Sequence, residues 1–380
     1  MRTVSKTVIG VDFGTQSARA VLVNAENGEI IYSCRKEYPY NSTPVPAIDC
    51  AENLPCATDY EMTLYELLRN VIPEEYRKTV AGICVDATSL TMVLLAEDGR
   101  ALSELDGWSE AAHARVKLWK YHRAQEKADE ALNLARNLQE PFLGRTGGSI
   151  SCEWMLPKLL EVRDEAPEIY SKIDLAMDLC EFLTFRLTGQ LVRSIGSLSY
   201  KCLWAEDLSF PERTFLNGLR AGFYEEYCHF LRGDVRKPGE CAGMLRSELT
   251  KRWGLPEQIP VATGMLDGHT SLATMGAFEP GDAALIVGTS NVCTVQDRKL
   301  QELKDVCGVA QDGMVTGSCG IDTGQSSTGN MLGWFVEHMA GWQIHREAEE
   351  RKISPHQVLA ERIQKPWENK VIASFRSEER

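Results

Sequence analysis

The stretch Val8-Ile9-Gly10-Val11-Asp12-Phe13-Gly14-Thr15-Gln16-Ser17 is an apolar strand that runs into a glycine-bearing, hydroxyl-rich turn, and Ala284-Leu285-Ile286-Val287-Gly288-Thr289-Ser290-Asn291 repeats the pattern. Gly14 and Gly288 permit tight backbone geometry. Thr15, Ser17, Thr289 and Ser290 place hydroxyls and main-chain N–H groups where phosphate oxygens can be held, and Gln16 belongs to the same turn. Two such turns facing each other would make a phosphate clamp. Only the first copy ends its strand in an acid, Asp12, where a carboxylate can hold hydrated Mg2+ against a nucleotide. Either copy alone reads equally well as an ordinary hairpin turn, and the duplication is what points to a nucleotide cleft.

A chain of 380 residues is long enough for two domains. Its 43% hydrophobic and 25% charged residues are those of a folded globular protein. A net charge of -13 repels nucleic acid and anionic membrane surfaces, so the expected partners include neither. The same charge would repel a nucleotide, which must then be held by local N–H donors and metal. The 12 cysteines form no CxxC pair, and Cys84, Cys180, Cys202 and Cys293 sit in apolar segments, which reads as reduced packing sulfur. Cys228-His229 lacks a second pair at zinc-ligand spacing. Neither a leader pattern nor an apolar run of membrane-spanning length is present, and the expected location is the cytoplasm.

Residues 7 to 40 read as three strands with a tight turn at Asn27-Gly28, followed by a helix near Tyr60 to Asn70 and further strands over Val80 to Leu95 with a turn at Asp98-Gly99. Sheet, helix and sheet imply an α/β layer. Helical spacing is expected from Ser109 to Leu138, Glu153 to Val162 and Leu175 to Leu187, then a strand at Ile259 to Ala262 and a last helix from Gly329 to Ala340. The turn-rich Phe278-Glu279-Pro280-Gly281-Asp282 is the expected domain boundary, dividing the chain into 1–278 and 279–380.

Asp12-Phe13-Gly14-Thr15 together with Gly288-Thr289-Ser290 resembles the paired phosphate loops of the actin-like, ribonuclease-H-like ATPases. The intervening segments resemble the FGGY carbohydrate kinases, most closely the ribulokinases. Those segments are Gly82 to Thr88, Leu118 to His122, Gly147 to Trp154, Leu187-Thr188-Gly189, Tyr200 to Trp204, Gly264 to His269 and Gly324 to Ser327. The resemblance implies an α/β, ribonuclease-H-like fold with a complete N-terminal sugar-binding domain and a partial nucleotide-side domain. It also implies ATP and Mg2+ as cofactors, a ketopentose as substrate and a homodimer as an open option.

By the same resemblance Asp267 is the catalytic base, Lys201, Asp322, Ala87 and Trp119 contact the sugar, and Gly14 to Ser17 with Gly288 to Ser290 hold the nucleotide phosphates. From the residues alone, the N-cap of a helix over His269 to Met275 is the favoured reading of Asp267, and Trp119 reads equally as a core side chain. Two positions depart from the family pattern. Tyr121 stands where an aspartate is usual, and Asp322 where ribulokinases place a glutamate one methylene longer, which leaves the choice of sugar open. The expected activity is ATP-dependent phosphorylation of L-ribulose. The alternatives are a sugar-binding chain without turnover and an actin-like ATPase indifferent to sugar.

Overall fold

The computed structural model describes residues 5–38, 54–287, 291–325 and 328–362. Strand Thr7–Phe13 buries Ile9, Val11 and Phe13 on one face, the period of two that a strand against a core requires. It pairs antiparallel with Ser17–Asn24, and that strand with Ile30–Glu37. The turn at Asn27-Gly28 lies where the sequence places it, with Gly28 at φ +74°.

On its other side Thr7–Phe13 runs parallel to Val80–Ala87, which runs parallel to Pro260–Ala262 and to Met265–Leu266. Cys241–Met244 closes the far edge. Parallel neighbours need a crossover, and helix Ala57–Asn70 lies in the first one, covering the sheet with Leu64, Leu67 and Leu68. Helix Leu179–Thr188 adds Phe182, Leu183 and Leu187 to the same core.

A second core gathers helices Gln125–Leu138, Met155–Glu165, Arg213–Leu219 and Phe223–Phe230. Two sequence expectations change here. The helix expected from Ser109 begins only at Gln125, because the segment before it turns inward to bury Lys117 and Tyr121. The helix expected from Leu175 begins at Leu179, because Leu175–Asp178 pairs as a strand with Met92–Leu95. All four residues of that strand are buried, and a short strand buried on both faces shows no alternation to tell it from a helix.

A four-stranded sheet follows, in the order Ala283–Val287, Asn291–Asp297, Cys319–Gln325, Gly308–Gln311. It meets helix Ile195–Lys201 through Tyr200, whose ring would lie 2.6 Å from a Cβ at Gly308 or Gly313 and whose hydroxyl donates to the Gly320 carbonyl at 2.8 Å. Among the described residues, those up to Ile286 together with Val292–Gly324 form one compact unit. Val287, Asn291 and the residues from Gln325 onward, including helices Thr328–Met339, Trp342–Arg351 and Pro355–Arg362, form another. No described helix is long and apolar enough to cross a membrane.

The loop through Gly147 is fixed by close approach. Its φ is +64°, its carbonyl accepts from Asp305 N–H at 3.2 Å, and a Cβ there would lie 2.2 Å from the Val306 carbonyl oxygen. Gly148 has φ +79° but open space around it. Gly147→Ala is therefore expected to cost about 3 kcal/mol or more in urea unfolding, and Gly148→Ala about 1 kcal/mol. Equal losses for the two would refute the close-approach argument.

Candidate active site

The strand register brings three carboxylates to one end of the first sheet. Asp12 pairs with Asp86 across the parallel strands, Met265 also pairs with Asp86, and Asp267 follows one residue beyond the last pair, Leu266 with Ala87. Asp12 is exposed, while Asp86 and Asp267 are half-buried. Asp267 is the first residue of helix Asp267–Met275, one position beyond the cap residue Leu266. Its Oδ1 accepts the Gly268 N–H at 2.7 Å. Burial pushes the Asp267 carboxyl up to about 6, with the Asp12 charge adding to it and main-chain hydrogen bonds from Gly268 and Ser89 and the Lys201 charge opposing. Asp86 is pushed further, to about 8, by burial, by the charges of Asp12 and Asp267 and by a hydrogen bond shared with Asp12. Its Oδ1 is buried without a hydrogen-bond partner.

A second cluster contributes to the surroundings of Asp267. Lys201 ends helix Ile195–Lys201 and donates from Nζ to Asp322 Oδ2 at 3.1 Å. His269 Nε2 lies 3.5 Å from the same oxygen, and its ring meets Tyr200 edge-on at 4.7 Å. Burial alone would raise the Asp322 carboxyl, but the Lys201 ammonium and His269 hold it well below the usual carboxylate range. Burial would likewise lower the Lys201 ammonium, and Asp322 outweighs it and raises it. The lysine and aspartate assigned to sugar contact thus have each other as charge partners. Glu153 lies close enough to act electrostatically on Lys201, and its Oε1 is 2.9 Å from His122 Nε2.

The Gly14 to Ser17 turn is closed by Gly14 N–H to the Ser17 carbonyl at 3.2 Å and steadied by Tyr38 Oη donating to the Gly14 carbonyl at 2.8 Å. Gly14 does not take a left-handed conformation, so backbone freedom is not the reason for glycine there; a Cβ would stand 3.4 Å from the Ser17 oxygen. Trp119 Nε1 donates to Thr15 Oγ1 at 3.1 Å, and Arg35 Nε to Ser17 Oγ at 3.0 Å, which brings an indole and a guanidinium to the turn. Gln16 is exposed beside them. Gly288, Thr289 and Ser290 lie outside the described residues.

Ala87 is buried in its strand, opposite Phe13 and Leu266. Tyr121 is buried too, its hydroxyl accepting from Lys117 Nζ at 2.9 Å, where Lys117 also pairs with Glu161 at 3.1 Å. The phenol therefore serves an internal charge network.

Among the described residues no group of three or more His, Cys, Asp or Glu is arranged to enclose a metal ion. Mg2+ does not need one, since it keeps several waters and takes one or two carboxylates plus phosphate oxygens. The all-oxygen donors Asp12 and Asp86, one of them with an orphaned Oδ1, fit that requirement.

Sequence reading passed over Asp86, His269, Glu153, Lys158 and Asp178. Asp86 had a signal: Val85-Asp86 repeats the Val11-Asp12 ending of the neighbouring strand. Asp178 ends a strand that reads as helix in the sequence, and the others sit in helices or turns where nothing local separates them from surface polar residues.

The model of the FGGY family of carbohydrate kinases, N-terminal domain, matches residues 7–275. Ribulokinase of Halalkalibacterium halodurans is 32% identical over 379 residues, covering 97% of this chain and 67% of its own length. Ribulokinase of Mycolicibacterium smegmatis is 35% identical over 370 residues, covering 94% and 65%. Among solved structures, ligand-bound xylulose kinase from Lactobacillus acidophilus superposes with a TM-score of 0.70 at 18% identity, covering 93% of this chain and 65% of that one. Xylulose kinase from Rhodospirillum rubrum gives 0.67 at 21%, covering 91% and 67%. These likenesses establish the ribonuclease-H-like, actin-like ATPase fold. The chain spans about two thirds of the length of the relatives it matches. It belongs to the FGGY family of carbohydrate kinases.

Asp86 and Asp267 keep protons in the folded chain that the unfolded chain, with ordinary carboxyls near 3.8, has released. The stability these two carboxyls contribute should therefore fall as pH rises from about 4 through about 8. Asp86→Asn should melt like the parent at pH 4 and at a higher temperature at pH 8, measured by circular dichroism. A lower melting temperature for the variant at pH 8 would contradict the raised Asp86 carboxyl.

Proposed function

We propose that this FGGY-family chain transfers the γ-phosphoryl group of ATP to a hydroxyl of a ketopentose, with L-ribulose giving L-ribulose 5-phosphate as the leading case. The observation that carries this is Asp267: a half-buried carboxylate at a helix N-terminus, beside Asp12 at the ends of parallel strands, with its carboxyl raised to about 6. A base near that value is ionised at neutral pH and still basic enough to take a proton. The ribulokinase relatives supply the choice of sugar.

In this reading the sugar hydroxyl oxygen attacks the γ-phosphorus in line, its proton passes to the Asp267 carboxylate, and the bond to the leaving oxygen of ADP breaks. Asp12 holds Mg2+, which when bound offsets charge on the phosphate oxygens. The Gly14 to Ser17 turn receives phosphate oxygens on its N–H groups, and Gly288 to Ser290 are assigned the same task from the sequence. Lys201 and Asp322 present a donor and an acceptor, already aligned with each other, to neighbouring sugar hydroxyls.

Phosphorylation assays with a panel of ketoses, polyols and glycerol test the substrate, and exclusive turnover of glycerol would refute it. Asp267→Asn should keep L-ribulose affinity within about twofold while lowering turnover by about 10²–10⁴-fold. Parent-like turnover in that variant would remove Asp267 as the base. Binding of L-ribulose without phosphorylation would leave a sugar-binding chain, and ATP hydrolysis indifferent to every sugar would favour the ATPase reading.

A further inference from the structure

Lys158 and Asp178 are fully buried charged residues that phosphoryl transfer does not use. Lys158 sits in helix Met155–Glu165 and has no ion-pair partner among the described residues. Its Nζ donates instead to three main-chain carbonyls, Leu90 at 3.0 Å, Leu118 at 2.9 Å and Lys117 at 3.3 Å, which matches the three N–H groups of an ammonium. Asp178, at the end of strand Leu175–Asp178, accepts the N–H groups of Leu90 at 3.0 Å, Thr91 at 3.1 Å and Leu179 at 2.8 Å, and the Ser197 hydroxyl at 2.7 Å. One peptide segment is therefore held at its N–H by the carboxylate and at its carbonyl by the ammonium.

The segment so held is strained. Leu90 has φ +49°, a left-handed conformation that a leucine adopts only under constraint. The strained turn is also next to the chemistry: it follows Ala87, which pairs with Leu266, the residue before Asp267, and Thr88 N–H donates to the Phe13 carbonyl at 2.9 Å. On the other side, the carbonyls of Lys117 and Leu118 lead directly to Trp119, whose indole N–H reaches Thr15 of the phosphate turn. If burial were the only purpose, apolar side chains would fill the same space without desolvating two charges.

We propose that Lys158 and Asp178 are positioning residues of this site, gripping Leu90 from opposite sides so that the Thr88–Thr91 turn is held against Asp267 and the Lys117–Trp119 segment against the Gly14 to Ser17 turn. The clamp stands on geometry alone; its bearing on sugar handling rests on the phosphoryl-transfer reading.

The test uses the 380-residue chain labelled with 5-fluorotryptophan, with the Trp119 ¹⁹F resonance assigned by its loss in Trp119→Phe. In Lys158→Met the Trp119 resonance should shift or broaden while the other tryptophans keep their positions. In Asp178→Asn, amide exchange at Leu90 and Thr91 should quicken by about tenfold or more. L-ribulose titrated against the Trp119 resonance should bind Lys158→Met about tenfold more weakly than the parent. Leu216→Ala, a cavity in the helical core, serves as a destabilised control and should leave that affinity unchanged. An unmoved Trp119 resonance in folded Lys158→Met would overturn the inference. So would loss of all tryptophan resonances together in both clamp variants, or equal weakening in the Leu216→Ala control. If L-ribulose fails to perturb Trp119 in the parent, the sugar reading falls, while the sugar-free spectra still decide the clamp.

Discussion

The in-register parallel pairing of Thr7–Phe13 with Val80–Ala87 is the constraint on which the site depends. Side chains on a strand alternate in direction, so a slip of one residue would turn Asp12 or Asp86 to the opposite face and end their contact. The register that buries Ile9, Val11 and Phe13 beneath helix Ala57–Asn70 is the same one that aligns the two aspartates. Hydrophobic burial along the strand thus determines where the carboxylates converge, and Met265–Leu266, paired to the same strand, delivers Asp267 to the same end.

Carboxylates placed so close repel one another, and the fold tolerates this by leaving a proton on Asp86 at neutral pH, while Asp267 keeps its proton only below about pH 6. Lys201, whose charge acts on Asp267, is paired with Asp322 at 3.1 Å. The carboxylate end of the sheet therefore has an electrostatic deficit in a chain that already carries a net charge of -13. A divalent cation arriving with a nucleotide would relieve that deficit, so the free energy lost to repulsion in the free protein favours binding of metal nucleotide.

Much of the fold was legible in the sequence because its signals are local. The three N-terminal strands, the Asn27-Gly28 turn and helix Asp267–Met275 follow from alternation, turn residues and helical spacing. The misreadings share one cause. Leu175–Asp178 and the segment before Gln125 are shaped by partners far along the chain: the pairing with Met92–Leu95 and the pull of Lys158 and Glu161 on the Lys117 region. Asp12 and Asp267 stood out because each follows apolar strand residues, whereas Asp86, which repeats the Val11-Asp12 ending on the neighbouring strand, did not, since only the register shows that the two meet.

Buried charge alone does not mark the functional region. Arg193 is fully buried, yet four of the five N–H groups of its guanidinium are engaged: Nη1 on Glu181 at 2.8 Å and the Ala176 carbonyl at 2.9 Å, Nε on the Arg232 carbonyl at 2.9 Å and Nη2 on the Phe230 carbonyl at 2.8 Å. Glu181 is completed by the Ser194 and Asp178 N–H groups. A network engaged in this way has little left to offer a ligand and reads as structure. Around Asp267 the pattern is different. Asp86 Oδ1 and Ser89 Oγ are buried without hydrogen-bond partners, on the strand end and the turn that follows it. Orphaned polar atoms also occur far from here, at Thr63, Ser103 and Glu140 among others, so an open valence alone marks a site no better than a buried charge does. What sets this region apart is that open valences and unneutralised carboxylates coincide where the strand register brings Asp12, Asp86 and Asp267 to one end of the sheet.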